Sequence, residues 1–257
     1  MTEPRGFNHP VEGPVEVVYR DARVAALNKP AGLVVIPGRH DGSLDTLTNR
    51  LWMALWQEQG LLPETRENCR PLLVHRLDKD TSGLVLFALN LDAQRDLHRQ
   101  FETHRVVKTY LALVQGAPPQ ANGRVDAPVG ERPSRRKGAR GRMGVFGRNA
   151  REAVTDYRVL CRDDRYSLLM VTPRTGRTHQ IRVHLSHVGC PLAIDPVYHP
   201  LAPGEPPADL PMDRLTLHAL RVRFQSPPGG GWQEISAPLP DDFARTLDFL
   251  GFSSQVR

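Results

Sequence analysis

The chain has 257 residues, of which 40% are hydrophobic and 24% are charged. This composition excludes an intrinsically disordered chain, and the length fits one large domain or two small ones. Basic residues outnumber acidic residues by 34 to 28, and the formal net charge of +6 indicates either a phosphate-rich partner or a bias in genome composition.

The first predicted elements are two short strands and a helix. Residues 15–19 and 24–27 are runs of apolar and β-branched residues, which predict strands. A helix is predicted between an N-cap at Ser43 and a stop at Gly60. Its apolar face is formed by four leucines at helical spacing, which are Leu44, Leu47, Leu51 and Leu55.

The middle of the chain carries a polar turn between two apolar segments. Residues 71–75 and 84–89 predict strands, and residues 75–83 between them are rich in charged and turn-forming side chains. A helix is predicted over 91–104 and a strand over 108–115.

Residues 132–151 form a low-complexity stretch with eight basic residues and no acidic residue. Glycines at 138, 141, 144 and 147 loosen this stretch further. We expect a mobile basic loop rather than a domain linker, because strand-like segments resume directly after it, at 153–160 and 167–172.

The last part of the chain predicts a helix over 178–187, with Thr178 as its cap and Gly189 after its end. Two late strands and a final helix follow, at 215–224, 232–235 and 240–250. Strands mixed with few helices, without a regular βαβ rhythm, predict an α+β fold. We expect a single domain over residues 15–250, with short tails at 1–14 and 251–257.

The turn at 75–83 is the first segment that could carry chemistry. It places the Asp78 carboxylate between the cations Arg76 and Lys79. Nearby cations keep the pKa of a carboxylate low, so Asp78 would stay an ionised nucleophile or base. Two other interpretations are open: a solvated loop whose side chains cap their own backbone, and a metal pair formed by Asp78 and Asp80.

The second such segment is 174–184, which has arginines at both ends of a predicted helix start. Guanidinium groups and helix N-termini both attract anions, although an unoccupied basic helix face is an equally simple interpretation. His179, His184 and His187 raise the question of zinc, but no cysteine or close carboxylate completes a site. The three cysteines of the chain are scattered, which argues against a zinc knuckle and a disulfide framework.

Taken together, these segments resemble the RluA-type family of RNA pseudouridine synthases. The sequence HRLDKDTSGLVLFA at 75–88 is similar to that family's catalytic motif, and TGRTHQIRVHL at 175–185 to its third motif. Further similarities are NKPAGL at 28–33, KTYLA at 108–112 and RLTLHA at 214–219. The resemblance implies an α+β pseudouridine synthase fold with a mixed, largely antiparallel central sheet, flanking helices and a catalytic cleft.

The resemblance also implies roles for individual residues. Asp78 would be the catalytic aspartate, Tyr110 would stack on the target base and Arg177 would pair with Asp78. Arg76 would help to extrude the target nucleotide, and Ile181 would pack against the uracil. Further contacts with the RNA are expected from other residues of the motifs and from the basic loop, which are Lys29, His75, Lys79, Arg135, Arg136, Lys137 and Arg140.

The resemblance implies a cofactor-free isomerase that acts on tRNA or on large-subunit ribosomal RNA. We expect a cytoplasmic protein, because no secretion signal precedes the motifs and no apolar run approaches the roughly 20 residues that span a bilayer. A monomer is the simplest expectation for its oligomeric state. The motifs begin near Val15, so we expect no N-terminal S4 domain. A non-catalytic RNA-binding factor and a metal-dependent hydrolase are the alternatives.

One segment departs from the family pattern. The family often has glycine before the aspartate in the segment that reads Ile194-Asp195-Pro196 here. A β-branched residue adopts positive φ only at a cost, so we expect this loop to run differently and assign no role to Asp195.

Overall fold

A computed structural model describes residues 16–37, 45–59, 69–133, 141–199 and 209–255. The chain divides into two compact units. The first contains Met1–Val106 and Val222–Pro238, and the second contains Val107–Arg221 and Leu239–Arg257. The expectation of a single domain stays a prediction.

The fold is α+β with a large, mostly antiparallel sheet, which confirms the predicted fold class. The helices of the described residues are α1 (Leu47–Gln59), α2 (Leu91–Glu102), α3 (Gln180–His187) and α4 (Asp241–Phe249). The strands are β1 (Val17–Arg20), β2 (Val24–Lys29), β3 (Leu72–Leu73), β4 (Ser82–Ala88), β5 (Val107–Gln115), β6 (Asn122–Asp126), β7 (Val129–Arg132), β8 (Arg142–Val145), β9 (Arg148–Arg151), β10 (Val154–Arg162), β11 (Tyr166–Pro173), β12 (Leu217–Gln225) and β13 (Trp232–Ser236).

In the first unit, β2 pairs antiparallel with β1 on one side and with β4 on the other. Strand β4 is buried along its whole length, which explains its uninterrupted apolar sequence. Apolar residues of β2, β4 and α2 pack together with Val222 and Phe224 of β12. The register of β2 and β4 places Lys29 opposite Gly83, so the strands bring the 28–33 and 75–83 segments together.

The predicted strand at 71–75 is much shorter than expected, because only Leu72 and Leu73 pair with β4. Two side chains of α2 contact the backbone at the end of this short strand. The Gln94 side-chain amide donates to the Leu73 carbonyl oxygen at 3.0 Å, and the His98 ring lies 3.2 Å from the same oxygen. These contacts fix the chain where it enters the 75–83 turn.

In the second unit, strands β5, β11, β10 and β6 lie side by side. Of these neighbours, only β10 and β11 are also consecutive in the sequence. Each neighbouring pair is antiparallel. One core of this unit is formed by β5, β11 and α4, with Leu111, Leu168 and Phe243 fully buried. Helix α3 follows β11 after a short turn, and this turn contains Arg177.

The second unit also holds a small antiparallel sheet in the order β8-β7-β9. The prediction of a mobile loop over 132–151 is therefore wrong for residues 141–151, which form two strands and the turn between them. The arginines and glycines of this segment hide the alternation that usually marks a strand. Residues 134–140, with Arg135, Arg136, Lys137 and Arg140, lie outside the described residues.

Within the described ranges, no helix combines the length and the apolar character that crossing a membrane requires.

Candidate active site

The Asp78 turn links β3 to β4 in the first unit. Its centre is anchored by Leu77, which is buried, and by the Thr81 N–H, which donates to the Asp78 carbonyl oxygen at 3.2 Å. Asp78 itself is partly exposed, whereas Arg76 and Lys79 are exposed. The backbone of the turn is therefore fixed against the core while its charged side chains face outward.

Lys29 ties the turn to the end of β2. Its side chain is fully buried, and Nζ donates at 2.8 Å to the carbonyl oxygens of Pro30, Leu33 and Lys79. The Lys79 carbonyl also accepts from the Gly32 N–H at 3.0 Å. A buried ammonium is stable only when its donors are satisfied, and three carbonyls around one nitrogen satisfy them. The geometry gives Lys29 a structural contact with the Asp78 turn, and the predicted contact with RNA stays a prediction.

His75 is also held by the protein. The Leu86 N–H donates to His75 Nε2 at 2.9 Å, so this nitrogen carries no proton. The ring also packs on Phe101, with centroids 5.0 Å apart. Both contacts orient the residue at which the turn begins.

In the second unit, Gln180 organises the turn that carries Arg177. Its Oε1 accepts from the Thr175 hydroxyl at 2.7 Å and from the Arg177 N–H at 3.0 Å. Its Nε2 donates to the Val154 carbonyl and to Thr155 Oγ1, both at 3.0 Å. All four hydrogen-bonding positions of this buried amide are used, so the turn is locked to β10.

Helix α3 begins differently from the sequence prediction. Thr178 is not its cap: the N-cap position is His179, which has a positive φ of 55° and forms no side-chain capping bond. The contact between Gln180 Oε1 and the Arg177 N–H satisfies a backbone donor at this end instead.

His184 of α3 lies inside the unit and is fully buried. Its Nε2 lies 2.9 Å from the Ala127 carbonyl oxygen, which can only accept, so Nε2 carries the proton. Its Nδ1 lies 2.9 Å from Thr155 Oγ1 and accepts from that hydroxyl. Burial lowers the pKa of His184, which keeps the ring neutral. Both nitrogens are engaged with protein groups, so this ring acts as a structural bridge between α3 and β10.

Tyr110 and Ile181, the predicted base-contacting residues, both belong to the second unit and are both buried, at 7% and 6% exposure. Tyr110 lies in β5, opposite Val171 of β11. Lys108, two residues before it, lies over the Arg177 turn, because a Cβ added at Gly176 would be 3.7 Å from Lys108 Nζ. Lys108 keeps partial exposure, yet burial lowers its pKa to about 8.

Arg177 is partly buried, and its Nε donates to the Glu152 carbonyl oxygen at 2.9 Å. Burial lowers the pKa of this guanidinium, and the positive charge of Arg151 lowers it further. Arg177, Arg151 and Lys108 thus place three basic side chains around this turn against one nearby carboxylate, that of Glu152, and the excess of positive charge favours an anion.

The predicted site residues are divided between the two units. The first unit holds Lys29, His75, Arg76, Asp78 and Lys79 in or beside one turn, and the second holds Tyr110 in β5, Arg177 in the turn before α3 and Ile181 in α3. The pairing of Asp78 with Arg177 stays a prediction.

A comparison with protein families decides which family the chain belongs to. The profile of the family described as RNA pseudouridylate synthase matches residues 23–187, which include both the Asp78 turn and the Arg177 turn. The chain belongs to the RNA pseudouridylate synthase family. The predicted resemblance is confirmed.

Curated relatives in the RNA pseudouridylate synthase family extend this match. The ribosomal large subunit pseudouridine synthase D of Nitrosomonas europaea is 40% identical over 92% of this chain and 65% of its own length. An uncharacterized RNA pseudouridine synthase of Chloroflexus aurantiacus is 45% identical over 86% of this chain and 64% of its own length. The chain thus spans just under two thirds of both relatives.

A solved member of the family has the same fold. Human RNA pseudouridylate synthase domain containing 4 superposes with a TM-score of 0.71 at 27% identity, over 92% of this chain and 93% of that chain.

Sequence reasoning missed one pair of residues in this family member. Arg182 of α3 and Asp195 form a buried ion pair, with Nε–Oδ2 and Nη2–Oδ1 distances of 2.8 Å. Asp195 Oδ1 also accepts from the N–H groups of Val197 and Tyr198. Ile194 does not take a positive φ, and the expectation that this loop runs differently from that of the family stays a prediction. The opposite charges of Arg182 and Asp195, 13 residues apart, were the only sign in the sequence that these two residues could form a pair.

Tyr198 continues this network. The Arg182 guanidinium lies 5.0 Å from the centroid of its ring. The Tyr198 hydroxyl lies 2.9 Å from His179 Nδ1, beside the Arg177 turn, and accepts from the Met143 N–H of β8 at 3.2 Å. The network therefore connects α3, the Arg177 turn and the small β8-β7-β9 sheet.

Proposed function

We propose that this chain is an RNA pseudouridine synthase that converts specific uridines to pseudouridine, with Asp78 as the catalytic residue. The observation that carries the proposal is the family match over 23–187, which includes the motif around Asp78. The buried contacts of Lys29 and Gln180 support it, because a catalytic turn must be held within a fraction of an ångström.

The reaction fits a site built around one carboxylate. The N1–C1′ bond of the nucleotide breaks, the uracil turns and a C5–C1′ bond forms. The proton on C5 is lost and N1 gains a proton, so the atoms balance without an oxidant or a reductant. Asp78 supplies either a nucleophile or a base for these steps. We assign no cofactor to them.

The other residues act on the base and the backbone of the RNA. Tyr110 stacks on the target uracil, Ile181 packs against it and Arg177 holds the Asp78 carboxylate. Arg76 helps to extrude the nucleotide from its stack, which costs a few kcal/mol and favours targets in loops. The exposed position of Arg76 and the anion-attracting surroundings of Arg177 support these roles.

Three predicted substrate contacts divide into two kinds. Lys79 is exposed and contacts the RNA backbone. Lys29 and His75 act as positioning residues, because carbonyl oxygens surround the Lys29 ammonium and His75 Nε2 accepts from Leu86. Phosphates bind to the basic segment, which includes Arg135, Arg136, Lys137 and Arg140.

Large-subunit ribosomal RNA is the substrate that we propose first, acted on by a cytoplasmic monomer. The name of the Nitrosomonas europaea relative supports this choice. Carbodiimide treatment and primer extension on RNA from a deletion strain would locate the modified uridines. Loss of stops in ribosomal RNA is the expected result, whereas loss of stops only in tRNA would assign the other substrate.

Release of tritium from RNA labelled at uridine C5 tests the activity itself. Wild type is expected to release tritium, and Asp78→Asn is expected to reduce the rate at least 1,000-fold, about 4 kcal/mol. Asp80→Asn is the matched control, because Asp80 is an exposed aspartate of the same turn. A hydrolase with a metal pair would release no tritium from C5, so cleavage of the RNA that is lost in both variants and in EDTA would instead support that alternative. RNA binding without release by wild type would support a non-catalytic factor.

A further inference from the structure

Phe146 occupies the turn between β8 and β9 and is exposed to solvent. Its side chain is 69% exposed, the largest exposure among the large hydrophobic residues of the described ranges. Its φ of 54° lies in the left-handed region, where a bulky residue costs roughly 1–2 kcal/mol. A costly conformation at an exposed aromatic indicates that the position is kept for what the side chain contacts outside the protein.

The turn that holds Phe146 is rigid. The Phe146 N–H donates to the Pro128 carbonyl oxygen at 2.8 Å. Gly147 lies against β7 so closely that a Cβ there would be 2.6 Å from the Gly130 carbonyl oxygen. Similarly, a Cβ added at Gly130 would be 2.6 Å from the Arg148 carbonyl oxygen. These contacts hold the backbone that carries the phenyl ring, which reduces the entropy lost on binding.

The surroundings of Phe146 are rich in basic side chains. Residues 141–151 contain three exposed arginines, Arg142, Arg148 and Arg151, and no acidic residue. Exposed acidic residues lie next to two of them, since Glu131 of β7 is opposite Arg148 and Glu152 follows Arg151. The Arg132 guanidinium reaches the same turn, where Nη2 donates to the Val145 carbonyl oxygen at 3.1 Å. The exposed ring of His187 stands edge-on to Phe146, with centroids 6.4 Å apart. The turn and the strand after it thus place an exposed aromatic ring beside guanidinium groups.

We propose that Phe146 is a stacking platform for an unpaired base of the RNA substrate, with the flanking phosphates bound by Arg148 and Arg151. The proposal rests on the proposed function for its ligand, since it takes RNA as the substrate. Exposed aromatic side chains between basic residues are the chemistry that binds single-stranded nucleic acid.

A protein partner fits this surface less well. A stable protein interface buries about 800 Å² on each side and is depleted of charge at its centre. Here the whole of β9 is exposed, and two of its four residues are arginines. Duplex RNA offers no open base face to the ring, so the proposal is specific for single strands.

Binding of fluorescent oligouridylate, compared with a fully paired duplex of the same length, tests the proposal. Phe146→Leu is expected to weaken binding of the single strand about tenfold, or about 1.4 kcal/mol. Binding of the duplex should be unchanged. Phe146→Tyr should restore binding, and Phe249→Leu is the matched control, because Phe249 is a 59% exposed phenylalanine at the end of α4.

Phe146→Asn separates function from stability. Asparagine adopts positive φ more readily than phenylalanine, so the unfolding temperature should not fall while affinity for the single strand falls. Equal affinity of wild type, Phe146→Leu and Phe249→Leu for oligouridylate would overturn the proposal. That outcome is independent of tritium release, so release by wild type with unchanged binding would reject the stacking platform alone.

The arginines are tested by the salt dependence of the same binding. The double variant Arg148→Gln/Arg151→Gln is expected to make the negative slope of log affinity against log salt shallower by about 1.4. Each single-strand phosphate contact contributes about 0.7 to the magnitude of that slope. An unchanged slope would contradict the assigned phosphate contacts.

Discussion

The Arg182 guanidinium and the Asp195 carboxylate form a two-point ion pair in which Asp195 has no solvent exposure. Burial alone would raise the pKa of Asp195, but the bonds from Arg182 and two backbone N–H groups hold it below its usual range. The pair fixes the loop that presents Tyr198 to the Arg177 turn.

We expect Asp195→Asn to lower the free energy of unfolding by about 3–5 kcal/mol, because it leaves a buried guanidinium without its counter-ion. Urea denaturation would measure the change. The control is Asp92→Asn, which breaks an exposed pair with Arg95 and should cost less than about 1 kcal/mol. Equal small effects in both variants would contradict a structural role for the buried pair.

Lys29 should be replaceable neither by arginine nor by methionine. A planar guanidinium cannot place one nitrogen at 2.8 Å from three carbonyl oxygens, and methionine donates no hydrogen bond. Both variants are expected to lower the free energy of unfolding by at least about 2 kcal/mol. They should also slow tritium release by moving the Asp78 turn. Lys79→Arg, at an exposed position, should leave the unfolding free energy unchanged.

His184 predicts a specific dependence of stability on pH. Its pKa in the folded protein lies below the reference value of 6.5, so the unfolded chain binds more protons below about that pH. The free energy of unfolding should therefore fall as the pH drops from about 7.5 to about 5. His184→Gln should be less stable at neutral pH, with a flatter dependence over this range. If the unfolding free energy of His184→Gln depends on pH as steeply as that of wild type, a group other than His184 takes up the protons.

Gln180→Glu tests the lock on the Arg177 turn at constant side-chain size. The carboxylate would face the Val154 carbonyl oxygen, to which the amide now donates at 3.0 Å. We expect a loss of about 1–3 kcal/mol in unfolding free energy. Tritium release should fall further than this loss of folded protein explains, because the Arg177 N–H contact moves. The test is the rate per folded molecule, at a temperature where the variant is still folded. An unchanged rate would show that the turn does not depend on Gln180.

Local patterns predicted elements well where burial and spacing agree. The predicted helix at 91–104 is α2, and the strand at 108–115 is β5. Asn90 caps α2 by accepting from the Ala93 N–H, and the four-residue spacing of Ala93 and Leu97 gives this helix a clear apolar face. Such signals lie within one element and need no knowledge of its neighbours.

The contacts between elements could not be predicted from the sequence. Nothing in the spacing indicates that Lys29 binds the Lys79 carbonyl, because lysine is rarely fully buried and the two residues are 50 positions apart. The β8 and β9 strands were missed because their exposed arginines lack an apolar alternation, and their pairing depends on glycines that let the backbones approach. Tertiary contacts decide these features, and the local sequence carries little of that information.

The surroundings of Lys29 also limit which substitutions are tolerated at this position during evolution. Only four of the 34 basic residues are lysines, as expected where mutation steadily converts lysine codons to arginine codons. At most surface positions that exchange preserves the charge and is tolerated. Around the Lys29 ammonium, three carbonyl oxygens accept a single tetrahedral nitrogen and exclude a planar group. Selection should therefore retain a lysine codon here against the composition of the rest of the gene.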